Sequence, residues 1–172
     1  MKTIKNFRGA YFAVFALMFA ACSSDDDGGS TAGSSLDTYI TAKVDGVNFE
    51  TLIAGVATRS GSGASSFISV SCANTASITQ QEYESIHVVL VGVNAPGTYE
   101  VNSDTNSTLG YSENHNPNES WDTGDCEGVT GTIIVTTLTD TMVEGTFSFT
   151  GAHEDDCTDQ KVITEGHFKG TF

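Results

Sequence analysis

Basic residues are scarce in this chain, which has 7 Lys and Arg against 22 Asp and Glu among its 172 residues. Three of the seven lie in the first eight residues, which leaves Lys43, Arg59, Lys161 and Lys169 for the rest. Attraction to phosphate needs clustered Lys and Arg side chains. The scarcity therefore excludes nucleic acid and anionic lipid as partners. Cations are more natural partners, unless the negative charge only keeps a surface protein in solution.

The sequence also lacks any amphipathic helical stretch of useful length. From Leu36 to Phe172, Thr, Val, Ile and Phe alternate with polar residues in short runs separated by Gly, Asn and Asp. A period of two predicts half-buried strands. We therefore expect an all-β protein, either an antiparallel sandwich or a partly open barrel, that ends in a three-strand meander. About 135 residues are enough for one such domain, which we place at residues 37–172.

Recognisable catalytic motifs are missing as well. No serine lies in a strand–turn–helix elbow, and no Gly-rich phosphate loop precedes a helix. His87 falls in a predicted strand, His167 on an outward strand face, and His115 and His153 in predicted loops. This distribution does not pair a base with a nucleophile. We expect a protein that is not an enzyme, with a hydrolase as the less favoured alternative.

The N-terminus has the layout of an export signal. Basic residues are followed by an apolar run over residues 9–21 that is too short to span a membrane, for which about 20 residues are needed. The motif "FAAC" at residues 19–22 resembles a lipobox, after which a signal peptidase would remove residues 1–21 and leave a lipidated Cys22. The alternative is an ordinary secretory signal with a free Cys22 thiol.

Residues 22–36 form the predicted tether. Their Gly and Ser content is typical of a flexible linker. Each buried methylene contributes roughly 0.8 kcal/mol, so several acyl chains, palmitate among them, would hold Cys22 permanently in a membrane. The run "SDDD" at residues 24–27 resembles the signal that sends lipoproteins of Bacteroidota to the outer face of the outer membrane. The alternative is a solvated acidic spacer.

The cysteines beyond the tether predict one disulfide. A hairpin turning at residues 140–141 places Cys126, ahead of its first strand, opposite or nearly opposite Cys157, beyond its second strand. Bridges persist in an oxidising compartment, so we expect Cys126 to pair with Cys157. Cys72 lies on the apolar face of a predicted strand and is expected to be a small buried hydrophobic residue.

Strand register can be partly predicted. Asp45-Gly46 between two alternating runs predicts the first hairpin. In the meander, Ile134 and Leu138 are expected to face the same side as Val143 and Phe147, so that one face is buried. The last strand is predicted to point Val162, Phe168 and Phe172 inward and Glu165, His167 and Lys169 outward.

Residues 102–128 are the candidate binding region. The segment is too long for a bare connection, so it either contains a strand around residues 109–112 or acts as a functional loop. It contains one Tyr and one Trp among many amides and carboxylates. An aromatic ring can stack on a sugar while polar groups bind the hydroxyls. One interpretation is therefore a glycan-binding loop, and the other is that the Trp packs against the barrel. The candidate binding residues are Tyr111, Trp121, Asp122 and Asp125.

We expect no cofactor, because the sequence contains no complete metal-binding motif. The start of a calcium loop at residues 104–108 is followed by Leu109 where the turn requires Gly. Zinc is disfavoured because a disulfide would consume the Cys157 thiol beside His153. Looser calcium coordination stays open for two acidic sets, Asp122, Asp125 and Glu127 or Glu154, Asp155, Asp156 and Asp159.

Four segments carry a resemblance: "AKVDGVNF" (42–49), "APGTYEV" (95–101), "GTIIVTTLTDTMVEGTFSFTG" (131–151) and "VITEGHFKGTF" (162–172). Following a lipobox and an acidic spacer, they resemble a family of small surface lipoproteins of Bacteroidota whose function is unknown. The shared motifs belong to turns and core, so the resemblance implies a lipoprotein with an all-β domain and no catalytic residue. We expect a surface lipoprotein that binds a glycan or a protein partner, or alternatively a structural accessory protein of the envelope.

Overall fold

The computed structural model describes residues 37–53, 55–75, 82–114 and 119–172. The predicted tether and Cys22 lie outside the described residues. Eleven strands occur in the described part: β1 (Tyr39–Val44), β2 (Val47–Glu50), β3 (Val56–Ser60), β4 (Phe67–Ala73), β5 (Tyr83–Val91), β6 (Gly97–Val101), β7 (Thr108–Asn114), β8 (Glu119–Asp122), β9 (Gly131–Leu138), β10 (Met142–His153) and β11 (Asp156–Thr171). One 3₁₀ turn, Gly63–Ser65, precedes β4. No helix among these residues is long and apolar enough to cross a membrane.

The strands form one curled antiparallel sheet, a half-barrel. Their order is β2-β1-β11-β10-β8-β7-β5-β4-β3, while β9 also pairs with β10 and carries β6 on its other side. β3 and β4, at one end of the order, also approach β11, which lies near the other end. The predicted all-β class is confirmed, and β9, β10 and β11 form the predicted three-strand meander.

The first hairpin turns at the predicted residues. Asp45 and Gly46 both have positive φ angles, 48° and 84°. Two consecutive positive φ values match the right-handed twist of a hairpin, and Asp and Gly adopt them readily. The turn also joins β11, because Asp45 N donates to Val162 O and Val162 N donates to Asp45 Oδ1, both at 2.9 Å.

A β-bulge overturns the predicted register of the β9–β10 hairpin. Val143 pairs with Leu138, but the register shifts between Glu144 and Gly145, after which Phe147 pairs with Ile133. A shift of one residue moves side chains to the opposite face. Ile133 is therefore fully buried, whereas Ile134, which was predicted to face inward, is 43% exposed.

A second bulge affects β11. Its register against β10 shifts between Phe147 and Phe149, and its register against β1 shifts between Thr41 and Lys43. Val162 is consequently 46% exposed, and the prediction that it points inward is wrong. Beyond the bulge the predicted pattern holds: Phe168 is buried, Phe172 packs against the core, and Glu165 and His167 are exposed.

The core lies on the concave face of the sheet, where most fully buried side chains are aliphatic. Burying one such side chain contributes about 1.5 to 3 kcal/mol. Cys72, predicted to be a small buried hydrophobic residue, is a free cysteine with 3% exposure. The hydrophobic residues with 0% exposure are Ile40, Val70, Ile86, Val88, Leu90, Val101, Leu109, Ile133, Val143, Ile163 and Phe168.

Candidate functional site

The predicted binding loop is largely two strands, β7 and β8. Of the two alternatives for residues 102–128, the one with a strand around residues 109–112 is found, and Tyr111 pairs directly with Trp121. Both side chains are only 2% exposed. The two rings therefore offer no free face to a sugar, and the alternative in which Trp121 packs against the barrel is the arrangement found. The glycan-binding interpretation assumed that the two aromatic residues lie in a loop. Both instead lie on the inward face of paired strands.

Tyr111 and Trp121 belong to an aromatic cluster, which we define as Tyr111, Glu113, Trp121, His153 and Lys161. The Trp121 ring lies 5.8 Å from the rings of both Tyr111 and His153, measured between centroids. Lys161 Nζ lies 4.8 Å from the centre of the Trp121 ring, which is cation–π geometry. Lys161 Nζ and Tyr111 Oη each donate to Glu113 Oε1 at 3.1 Å.

Lys161 stands beside an excess of carboxylates. Glu113 is directly opposite Glu84 on one neighbouring strand and Glu119 on the other, and like charges in such positions repel. Burial lowers the pKa of Lys161, but the hydrogen bond and charge of Glu113, with more distant carboxylates, outweigh it and raise the pKa overall. Burial and the nearby charges of Glu84 and Glu113 raise the pKa of Tyr111 far above its usual range.

Asp122 follows Trp121 directly in β8 and pairs with Gly110, so its side chain points to the face of the sheet opposite the two rings. Asp122 Oδ1 accepts hydrogen bonds from the backbone N–H groups of Gly124, at 2.6 Å, and Asp125, at 3.1 Å. A hydrogen bond with Asp122 and its charge raise the pKa of Asp125. Nowhere in the described part of the chain do three His, Cys, Asp or Glu side chains come together as metal ligands.

The structure contains the predicted disulfide between Cys126 and Cys157. Their Cα atoms are 5.7 Å apart and 31 residues apart in sequence. Cys126 is 1% exposed and packs with Val129 and Ala152. The bond ties the connection between β8 and β9 to the start of β11, close to the aromatic cluster. It therefore holds in place a segment that has no regular hydrogen-bonded pairing of its own.

A site that the sequence did not predict lies on the opposite face of the sheet from the core. Two shallow grooves of about 340 and 260 Å³ adjoin there and share Glu165 and His167. We call these two grooves the outer site. The first is also lined by Thr41, Ala42, Lys43, Asn48, Phe49 and Glu50, and the second by Thr132, Ile134, Thr146, Phe147, Ser148 and Gly166.

Glu165 has an unusual backbone at the centre of the outer site. Its φ is +52°, a left-handed conformation that is unfavourable for a residue with a side chain by roughly 1 to 2 kcal/mol. Lys43 Nζ donates to Glu165 Oε1 at 2.8 Å, and the two side chains are 37% and 67% exposed. A Cβ at the neighbouring Gly166 would lie 2.6 Å from Phe147 O, so the strand needs glycine there.

Alternation alone predicts Glu165 and His167 on the outer face but not the outer site, which also requires the neighbouring residues of β1, β2, β9 and β10 and the bulge at which Glu165 adopts a left-handed backbone. The available signal was the pair Glu165-Gly166, since glycine inside a strand often marks a bulge or a close backbone approach.

One comparison with known proteins bears on this chain. Residues 39–171 match the family described as Domain of unknown function (DUF6252), a match that extends over all eleven strands. No curated protein and no solved structure matches the chain. On this match, the chain belongs to the DUF6252 family, whose function is unknown.

Proposed function

We propose that this protein is a lipoprotein of the outer membrane, held by acyl chains on Cys22, whose β-domain faces the cell exterior and binds a partner without catalysis. The observation that carries the binding role is the left-handed backbone of Glu165 at the junction of two grooves. The anchoring role is supported by the sequence around Cys22.

The conformation of Glu165 supports binding because it opposes the intrinsic preference of the backbone. Glycine adopts a positive φ without penalty, and an exposed position in a bulge has no packing reason to exclude it. Strained residues are concentrated at binding and catalytic sites. A carboxylate kept there, held by Lys43, is therefore best explained by contact with a ligand.

The tether supports a domain that acts at a distance from the membrane. Residues 22–36 contain "SSDDDGGSTAGSS", which is typical of a flexible linker, and the first described strand begins soon afterwards at Tyr39. The domain would then move freely on its anchor, so that the outer site could meet ligands outside the cell.

Metabolic labelling with a palmitate analogue, combined with protease treatment of intact cells, tests the anchoring and its direction. The wild-type chain should carry the label, sediment with membranes and be digested in intact cells. Cys22→Ala should lose the label and leave the membrane fraction. A chain that retains residues 1–21 without acylation, or a labelled chain protected until cells are opened, would contradict the proposal.

A further inference from the structure

We propose that the outer site binds a neutral oligosaccharide, which lies across the strands with Glu165 and His167 at its centre. This inference rests on the proposed binding function and adds the site and the ligand class. The rings of Tyr111 and Trp121 are buried, so we place the glycan on the exposed outer face of the sheet instead.

The shape of the outer site fits an extended ligand. The two grooves adjoin along the sheet and have Glu165 and His167 in common. One is bounded by β1 and β2 and the other by β9 and β10, with β11 between them. A chain of sugar units could occupy both grooves at once, whereas a single small ligand would use only one.

The chemistry of the lining suits hydroxyl groups, which both donate and accept hydrogen bonds. Lys43 and Asn48 supply donors, and Glu50 and Glu165 supply carboxylate acceptors. In the second groove, the exposed Ile134 lies among threonine and serine hydroxyls, so that an apolar surface is available for the C–H face of a sugar.

Preorganisation of Glu165 favours affinity. Its backbone is fixed by the bulge, and its carboxylate is held at 2.8 Å by Lys43. A group that is already oriented loses less conformational entropy when a ligand arrives. A sugar hydroxyl beside the pair could accept from another N–H of the Lys43 ammonium and donate to the Glu165 carboxylate.

Local charge selects a neutral ligand. Lys43 offsets one of the two carboxylates in the outer site, Glu50 and Glu165, while the whole chain has a formal charge of −15. The chain charge repels sulfated and sialylated polymers. Protein partners usually insert aromatic or large apolar anchors into an interface, whereas the two Phe residues that line the outer site, Phe49 and Phe147, are buried.

A glycan array containing neutral, sialylated and sulfated oligosaccharides tests the inference with the full chain in detergent. We expect selective binding of neutral oligosaccharides by the wild type. Glu165→Gln and His167→Ala should each weaken binding by about tenfold or more, which corresponds to the loss of one hydrogen bond to a charged or polar group. Glu144→Gln, which changes a carboxylate of the neighbouring strand β10 outside the grooves, should bind like the wild type.

Three outcomes would overturn the inference: no binding of neutral oligosaccharides, binding that Glu165→Gln and His167→Ala leave unchanged, or stronger binding of the anionic series. A photo-crosslinker at position 167 separates this failure from that of the proposed function. If the array is silent but the crosslinker captures one protein on intact cells, the saccharide inference fails while the binding role stands. Capture of nothing, together with a silent array, contradicts both.

Discussion

Lys161 and Lys43 each form an ion pair with a glutamate, at 3.1 Å with Glu113 and at 2.8 Å with Glu165. The first pair is mostly covered, with side chains 25% and 24% exposed, and Lys161 also lies over the Trp121 ring. The second pair is open, with side chains 37% and 67% exposed, on a strained backbone.

The difference shows that one type of contact can serve two purposes. An exposed ion pair contributes only about 0 to 1 kcal/mol to stability, so the Lys43–Glu165 pair does little for the fold. Removing one partner of a covered pair leaves the other charge poorly solvated, so the Lys161–Glu113 pair matters for stability.

Trp121→Ala should lower the free energy of unfolding by about 3 to 5 kcal/mol, because it empties a space in the core and removes the ring beneath Lys161. His167→Ala, at an exposed residue of the outer site, should change it by less than about 0.5 kcal/mol. Urea denaturation followed by fluorescence or circular dichroism measures both. Equal effects of the two substitutions would remove the distinction between the regions.

Loss of the disulfide should lower the free energy of unfolding by about 3 to 4 kcal/mol, from the loop entropy of a 31-residue separation. Thermal unfolding of the Cys126→Ser/Cys157→Ser variant, compared with the wild type with and without reductant, checks this value. Cys72→Ser serves as a control for thiol chemistry elsewhere. Reductant that lowers the Tm of the double variant as much as that of the wild type would show that the bond is not responsible.

Lys161→Met should lower the free energy of unfolding by about 1 to 3 kcal/mol, because Glu113 loses its charged partner beside two other glutamates. The matched substitution Lys43→Met at the outer site should have an effect below about 1 kcal/mol. Denaturation of both variants at neutral pH makes the comparison. A larger effect of Lys43→Met would reverse the assignment of the two pairs.

The contribution of Lys161 should also depend on pH. Burial lowers its pKa, but Glu113 and more distant carboxylates raise it above the ordinary 10.5. The folded protein then holds this proton more tightly than the unfolded chain does. The contribution is full below pH 10.5 and is lost as pH rises through the folded-state pKa. The stability difference between wild type and Lys161→Met should therefore shrink in strongly alkaline solution, and a constant difference would argue against the raised pKa.

The smallest effect is expected at Glu165. Glu165→Gly should be more stable than Glu165→Ala by about 1 kcal/mol, because glycine accepts the positive φ without strain. Chemical denaturation of the two variants gives the difference. If alanine were as stable as glycine, the strain at this residue would be disproved.

Local patterns predicted much of the fold. Asp45-Gly46 fixed the first hairpin, because few residue pairs adopt two positive φ angles. The alternation of apolar and polar residues predicted the all-β class. The hairpin near residue 140 predicted that Cys126 and Cys157 lie close together. The faces of Ile134 and Val162 could not be predicted, because each lies beside a bulge. A bulge depends on how neighbouring strands twist and pack, and it leaves little trace in the period of the sequence.

The candidate site was misplaced for a related reason. Residues 102–128 contain turn-forming residues that suggest a loop, yet Tyr111 and Trp121 occupy inward positions of paired strands, where tertiary packing decides their burial. Glu165 and His167 were correctly expected on the outer face, but nothing in one strand reveals which residues of β1 and β10 stand beside them.

The most direct test measures Glu165→Gly twice, once for its free energy of unfolding and once for its affinity for a neutral oligosaccharide. If the backbone is strained for the sake of a ligand, the variant should be at least as stable as Glu165→Gln while its affinity falls by about tenfold or more. A variant that loses stability and keeps wild-type affinity would show that Glu165 serves the fold instead.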